Sequence, residues 1–276
     1  MTVALVVGGR GYLGKGIAKH LSINCEVIVW DIEEDIFQLK EELITQLEID
    51  FIVNCSSSAI VSEFGVSPNK QDYRINVLGV AHLVLVSKNS NVPLFHFSTR
   101  EVLEKPERNR ALKEDSPLMP RHSYGKSKLT AEFLVHSHPK GVVIRLNTPY
   151  TDEITQPSGL ISILAMKSRS GKVSLDNGGT SLRDPLHVSD IACFIWSAFQ
   201  SETWGSTFHL GGGPQNFITL RDICRSFNPL VEIEYLSNNA SFDCVMDIEK
   251  SINLVGWYPR VLFSEWVNQI DKPSLK

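Results

Sequence analysis

The chain opens on VALVVGGRGYLGKGIAKHL, which sets Gly8, Gly11 and Gly14 between an apolar run at residues 3–7 and an amphipathic segment from about Tyr12 to Leu21. Glycines at a strand-to-helix junction allow a tight turn and let backbone N–H groups approach a pyrophosphate, which then rests on the helix N-terminus. The loop from Gly8 to Gly14, with Arg10, Tyr12 and Leu13 between the glycines, is therefore a candidate cofactor cradle. Asp31 closes the next apolar run, within about 20 residues of the loop, where an acid can bind a ribose 2′-hydroxyl. That carboxylate would repel a 2′-phosphate and favours NAD. The Arg10 guanidinium could pair with such a phosphate, which keeps NADP as the alternative.

Beyond the loop the chain keeps the same rhythm. Runs at 25–31, 50–55, 93–98 and 141–146 are β-branched and nearly continuous in apolarity, as strands buried on both faces of a parallel sheet are. Helix-like segments separate them, at 33–48, at 71–89 and from near Tyr124. This alternation predicts an α/β, doubly wound parallel sheet. After Pro149 the pattern loosens into turn formers around a helical stretch at 160–171. A loop, a short strand and a helix capped near Ser189 come next, then a strand within 206–213. The expected layout is a dinucleotide-binding domain over 1–150, with 185–212 returning to it. Residues 151–184 and 213–276 would form a smaller, partly interleaved substrate-binding portion.

Composition narrows the function classes. A formal net charge of −4 leaves no basic footprint for nucleic acid. Five scattered cysteines without a C-x-x-C pair read as reduced thiols, neither a disulfide framework nor a zinc site. No run reaches the roughly 18 apolar residues that span a bilayer. With a strand-like start and no leader pattern, the expectation is a soluble, cytoplasmic protein.

SYGKSKLTAEF places Tyr124 and Lys128 four residues apart, on one face of a helix. A tyrosine near pKa 10 is a poor base at neutral pH, but a neighbouring ammonium and an oxidised nicotinamide both favour its phenolate. Such a pair can exchange a proton with a sugar hydroxyl while a nicotinamide exchanges a hydride.

With these residues in view, the sequence resembles the extended short-chain dehydrogenase/reductase family, in particular its nucleotide-sugar epimerases, dehydratases and reductases. The resemblance covers nearly the whole chain. Gly8, Gly11 and Gly14 match the G-x-x-G-x-x-G loop, and NCSSSA at 54–59 is similar to the segment ending the fourth strand of that family. INVLGVAHLV at 75–84 resembles a helix with a structural asparagine, here Asn76. RDPLHVSDIA at 183–192 and the late GWYP complete the match. The resemblance implies a Rossmann-like fold, with Cys55, Ser56 and Ser57 beside the cofactor and Ser58 towards the substrate. It implies catalysis by Tyr124 and Lys128, with Lys128 also holding the cofactor ribose, and contact of Arg183 with the diphosphate of a nucleotide sugar. Because relatives assemble through the 71–89 helix, it also implies a homodimer.

FHFSTREVLE, at 95–104, is where the chain departs from that pattern. Aligned with the family's S-T-D-E-V-Y-G form, Thr99 takes the place of the hydroxyl that binds the reacting sugar oxygen. Arg100 stands where a 4,6-dehydratase carries an acid, and arginine cannot give up a proton usefully. Dehydration is therefore disfavoured, Arg100 becomes a substrate-side residue, and Glu101 either pairs with it or points to solvent. Asn147, in RLNTPYT, is a further polar contact or a turn residue, and Thr151 replaces a glycine of the family. The charged segment 104–122 reads as a lid or a surface excursion. His136 and His138, at a helix end, read as surface residues. The expected function is NAD(P)-dependent hydride transfer at C4 of a nucleotide-activated sugar, with a Tyr124–Thr99 proton relay. The alternatives are an NADPH-dependent 4-keto-6-deoxy-sugar reductase and a non-catalytic dinucleotide-binding regulator.

Overall fold

A computed structural model describes residues 1–31, 35–57, 73–104, 110–154, 157–236 and 243–270. In its first half β1 (Val3–Val7), α1 (Tyr12–Leu21), β2 (Glu26–Trp30), α2 (Glu41–Gln46) and β3 (Phe51–Asn54) follow one another. A π-helical stretch at Arg74–Gly79 leads into α3 (Val80–Asn89), then come β4 (Leu94–Thr99), α4 (Ser123–His136) and β5 (Gly141–Leu146). The second half holds β6 (Pro149–Tyr150), α5 (Leu160–Arg169), β7 (Lys172–Leu175), β8 (Leu182–Arg183) and β9 (Leu186–His187). It continues through α6 (Val188–Gln200), β10 (Thr207–Leu210), β11 (Ile218–Thr219), α7 (Leu220–Phe227), β12 (Glu232–Tyr235), α8 (Glu249–Val255) and α9 (Phe263–Ile270).

Six strands form one parallel sheet in the order β10-β5-β4-β3-β1-β2. Alternation along β1 explains why both faces must be covered. Ala4 and Val6 pack with Ile17 and Leu21 of α1 and Ile191 and Phe194 of α6. Val3, Leu5 and Val7 point the other way, into Val80, Leu83 and Val84 of α3 and Ala131 and Val135 of α4. From β1 the chain moves outward to β2 and returns on the opposite side at β3. That reversal opens a crevice beyond the C-terminal ends of β1 and β3, where ligands bind in sheets of this kind. A third core, around Tyr150, Ile161, Leu164, Ile223, Phe263 and Trp266, joins the pieces that follow β5. Three two-stranded sheets accompany it, pairing β12 with β7, β11 with β8 and β6 with β9.

Several expectations change in detail. The segment 33–48 is not one helix in its described part. A 3-10 turn at Ile36–Gln38 is capped by the Asp35 carboxylate, and an extended Lys40 separates it from α2. This break lets Ile36, Leu39 and Ile44 all reach the core. His187 takes the cap position of α6, with its Nδ1 within reach of both the Ser189 N–H and the Ser189 hydroxyl. His138 is 2% exposed and bonds Val92 O at 2.9 Å, so it is a buried linker and not a surface residue. Part of the charged segment before α4 is laced to the body. Leu112 is buried and exchanges backbone hydrogen bonds with Val245 and Asp247, and Glu114 accepts the His209 N–H. All five cysteines are free thiols. Among the described residues no helix is long and apolar enough to cross a membrane.

Candidate active site

The glycine loop turns at the C-terminal end of β1. Gly8 adopts φ +75°, and a Cβ there would lie 2.7 Å from Ser56 N, so the loop presses against the end of β3. A Cβ on Gly14 would run into the Gly8 carbonyl oxygen. Gly11 caps α1 without a side chain over the helix end, so the first-turn N–H groups at Tyr12, Leu13 and Gly14 face outward, as an anion site requires. The Asp31 carboxylate accepts the Arg10 N–H at 2.5 Å, which ties the loop to the end of β2. This cradle fits the phosphates of a dinucleotide. A cavity of about 340 Å³ adjoins it, lined by Arg10, Gly11, Tyr12, Lys15 and Lys19 with Thr151, Asp152 and Glu153. Thr99, Tyr124 and Lys128 do not line that cavity, which flanks the cradle.

Across the crevice, Ser56 N and Oγ both donate to Asn54 Oδ1, at 3.0 and 2.6 Å, and Asn54 Nδ2 meets His96 Nδ1 at 3.0 Å. Burial pushes the Cys55 thiol up, which makes it unreactive at neutral pH. Ser57 Oγ donates to Asn76 Oδ1 at 3.4 Å, Asn76 Nδ2 to Ser127 Oγ at 3.2 Å, and Ser127 Oγ to the Tyr124 carbonyl at 2.8 Å. The Ser57 hydroxyl also lies close enough to the Tyr124 phenol to pull its pKa down. The residues after β3 therefore position the first turn of α4. Ser58 lies outside the described residues.

Tyr124 and Lys128 share a face of α4 as the spacing predicts, but their electrostatics differ from expectation. Burial raises the Tyr124 pKa, the Ser57 hydroxyl works against that, and nearby Glu101 raises it further. The phenol is thus neutral at pH 7. Lys128 is 2% exposed, donates from Nζ to Phe97 O at 2.9 Å, and has its pKa pushed down to about 8 by burial. Beneath it, Glu132 accepts a two-point ion pair from Arg145, Nε to Oε1 at 2.9 Å and Nη2 to Oε2 at 2.8 Å. Ser98 Oγ donates to the same carboxylate at 2.5 Å. Neither Glu132 nor Arg145 is among the residues picked out from sequence. A glutamate one turn after Lys128 and an arginine inside an apolar strand are the signals that mark them.

Thr99 ends β4, and its Oγ1 accepts the Glu101 N–H at 3.3 Å, capping the turn Arg100–Val102. Its own hydroxyl proton remains available to donate. Arg100 Nη2 lies 2.6 Å from Glu101 Oε1, so the pairing foreseen for these two is formed. Arg183 Nη1 donates to Leu182 O at 2.7 Å. Asp184 is fully buried and accepts from Met246 N at 2.8 Å and from Asn147 Nδ2; burial raises its pKa to about 7. Asn147 also bonds Cys244 at both ends of its amide, giving Nδ2 to the carbonyl at 2.5 Å and taking the thiol proton at 3.2 Å. Its amide thus fastens β5 to the strand-like pairing of Arg183 with Cys244.

The sequence pattern of the NAD dependent epimerase/dehydratase family matches residues 4–211. The chain belongs to that family. Its cofactor class is a nicotinamide dinucleotide, and the glycine cradle fits one. The chain is 24% identical to UDP-glucuronic acid decarboxylase 1 of Arabidopsis thaliana over 293 aligned residues, 95% of this chain and 67% of that protein. Among solved structures it is similar to UDP-glucose 4-epimerase from Brucella ovis in complex with NAD, with a TM-score of 0.83 at 20% identity, over 97% of this chain and 96% of the other. It is also similar to dTDP-4-dehydrorhamnose reductase from Bacillus anthracis in complex with NADP, with a TM-score of 0.80 at 17% identity, over 98% and 99% of the two chains. The family match spans residues 4–211, and the fold of these neighbours covers nearly all of the chain.

Proposed function

We propose that the protein exchanges a proton and a hydride at C4 of a nucleotide-activated sugar, using NAD, and that epimerisation is the outcome. The observation that carries this reading is the half-buried Tyr124 on one face of α4 with the buried Lys128, whose Nζ bonds Phe97 O of β4. Tyr124 holds the proton that passes to or from the C4 oxygen, and Thr99 donates its hydroxyl proton to the same oxygen. Lys128 fixes the ribose of the cofactor and adds positive charge near the phenol. When bound, the nicotinamide supplies or takes the hydride, and its oxidised ring adds the cation that favours the Tyr124 phenolate. Arg183 and Arg100 hold the phosphate side of the substrate, and the portion made by 151–184 and 213–276 receives the sugar. Asp31 favours NAD over NADP.

The neutral Tyr124 phenol supports a second reading, reduction of a 4-keto sugar by NADPH, in which the phenol gives its proton to the new alkoxide. Exposed Leu78, Leu85 and Phe133, on the π-helical stretch, α3 and α4, support assembly as a homodimer through this face. Native mass spectrometry of the purified protein separates the two reactions, since retained NAD fits the epimerase and an empty site that takes up NADPH fits the reductase. Turnover of a nucleotide sugar must fall by orders of magnitude in Tyr124→Phe; unchanged turnover refutes the proton relay in both.

A further inference from the structure

Away from the glycine cradle and the Tyr124 corner, three side chains from separate elements converge: His20 near the end of α1, Asp152 just after β6, and His187 at the start of α6. His20 Nε2 is 3.1 Å from both carboxylate oxygens of Asp152, and His187 Nε2 is 3.2 Å from Oδ1. All the potential ligand atoms lie within 4.8 Å of one another. From this convergence we infer that His20, Asp152 and His187 form a binding site for one divalent transition-metal ion of the zinc class.

His20 Nε2 is within hydrogen-bond distance of Asp152, whereas the surroundings of His187 favour an ion. Zinc binds imidazole nitrogen at about 2.0–2.1 Å and carboxylate oxygen at about 2.0–2.2 Å. Tetrahedral ligands at those lengths are separated by roughly 3.3–3.5 Å, close to the 3.1 and 3.2 Å from each histidine to Asp152. His187 is 5% exposed, and its Nε2 makes no hydrogen bond although a carboxylate oxygen is within reach. Two groups that close without alignment suit lone pairs aimed at a shared third point. The other ring nitrogen, Nδ1, sits 2.7 Å from Ser189 Oγ. Donation from Nδ1 to that oxygen selects the tautomer with a free Nε2 lone pair, the outer-sphere support common to metal-bound histidine. In the opposite tautomer Nδ1 accepts the Ser189 N–H at the longer distance of 3.3 Å.

Tyr150 and Trp266 wall the His187 ring, with centroids at 5.1 and 6.4 Å, so an apolar shell backs the site. Two imidazoles and one carboxylate select zinc, cobalt or nickel over magnesium or calcium, which prefer all-oxygen shells. Three protein ligands leave a fourth position open, and Asp152 also lines the cavity beside the glycine loop. Lys19 Nζ holds Asp152 Oδ2 at 2.8 Å, but its side chain is 66% exposed and can swing into solvent when an ion arrives. The ion would clamp α1, the segment after β6 and the start of α6 together. None of these ligands takes part in the sugar chemistry proposed above, so the metal site stands or falls separately from it.

Cobalt(II) is the probe. The chelator-treated full chain is titrated with Co²⁺, following bound metal by equilibrium dialysis and the ligand field by visible absorption. One equivalent should bind with the intense visible bands of four- or five-coordinate cobalt. His20→Ala and Asp152→Asn should each weaken binding at least tenfold, while Lys19→Ala, which removes the competing cation, should bind as tightly as wild type or more so. Circular dichroism establishes that each variant is folded. No stoichiometric binding, or binding indifferent to His20→Ala, overturns the inference, as does weaker binding by Lys19→Ala.

Discussion

Lys128→Met should stabilise the protein while abolishing its chemistry. The buried ammonium of Lys128 has its pKa at about 8 in the folded chain, against 10.5 ordinarily. A cation whose pKa falls on folding opposes folding, and the penalty is complete below the folded value. It is relieved as pH rises from about 8 towards 10.5, because the unfolded chain then binds more protons than the folded one. The gap corresponds to ~3 kcal/mol at pH 7, shrinking by ~2 kcal/mol by about pH 9.5. Methionine has similar volume and no charge, but it abandons the hydrogen bond to Phe97 O, a loss of about 1 kcal/mol. The variant should therefore be more stable than wild type by ~2 kcal/mol at pH 7 and about equal to it near pH 9.5. Urea denaturation of both proteins at the two pH values measures this directly. A variant less stable than wild type at pH 7, or a difference that does not change with pH, would refute the account of Lys128 as a desolvated cation.

Three further substitutions probe other parts of the fold. Gly14→Ala places a Cβ against the Gly8 carbonyl and should eliminate NAD binding, read by calorimetry, while circular dichroism remains that of a folded chain. Glu132→Gln breaks the buried pair with Arg145 and should lower the unfolding free energy by ~3–5 kcal/mol, measured in urea. Leu85→Lys, at a side chain 56% exposed on α3, should shift the protein from dimer to monomer in analytical ultracentrifugation without loss of fold; an unchanged mass argues against the proposed interface.

The parallel sheet is readable in the sequence because its signals are local. Each strand is a short apolar run, buried on both faces except at the edge strand β2, and each of α1, α3 and α4 carries its own pattern. The glycine loop announces its ligand for the same reason, since a backbone approach needs glycine whatever surrounds it. Features that sequence does not reveal depend on long-range meetings. The Glu132–Arg145 pair joins α4 to β5, and the His20–Asp152–His187 group brings α1 to residues more than a hundred positions away. The neutral state of Tyr124 is hidden for a related reason. Spacing places a lysine near the phenol, but burial, which the sequence does not show, pushes its pKa up.

The same distinction fixes the meaning of Arg100. In the sequence it removes an acid from the position where dehydration of a 4-keto sugar would need one. In the fold it does more, because its guanidinium sits 2.6 Å from Glu101 and occupies the carboxylate that could otherwise have served as the base at C5. A guanidinium keeps its protons at any pH the protein survives, so the pair supplies no proton donor at C6. Elimination of the C6 hydroxyl requires both groups, whereas the proposed exchange at C4 calls only on Tyr124, Thr99 and the nicotinamide. Incubation with NAD and dTDP-glucose should therefore yield no 4-keto-6-deoxy product, as followed by chromatography and mass spectrometry. If that product accumulates, Arg100 does not block elimination and the assignment of chemistry to C4 alone fails.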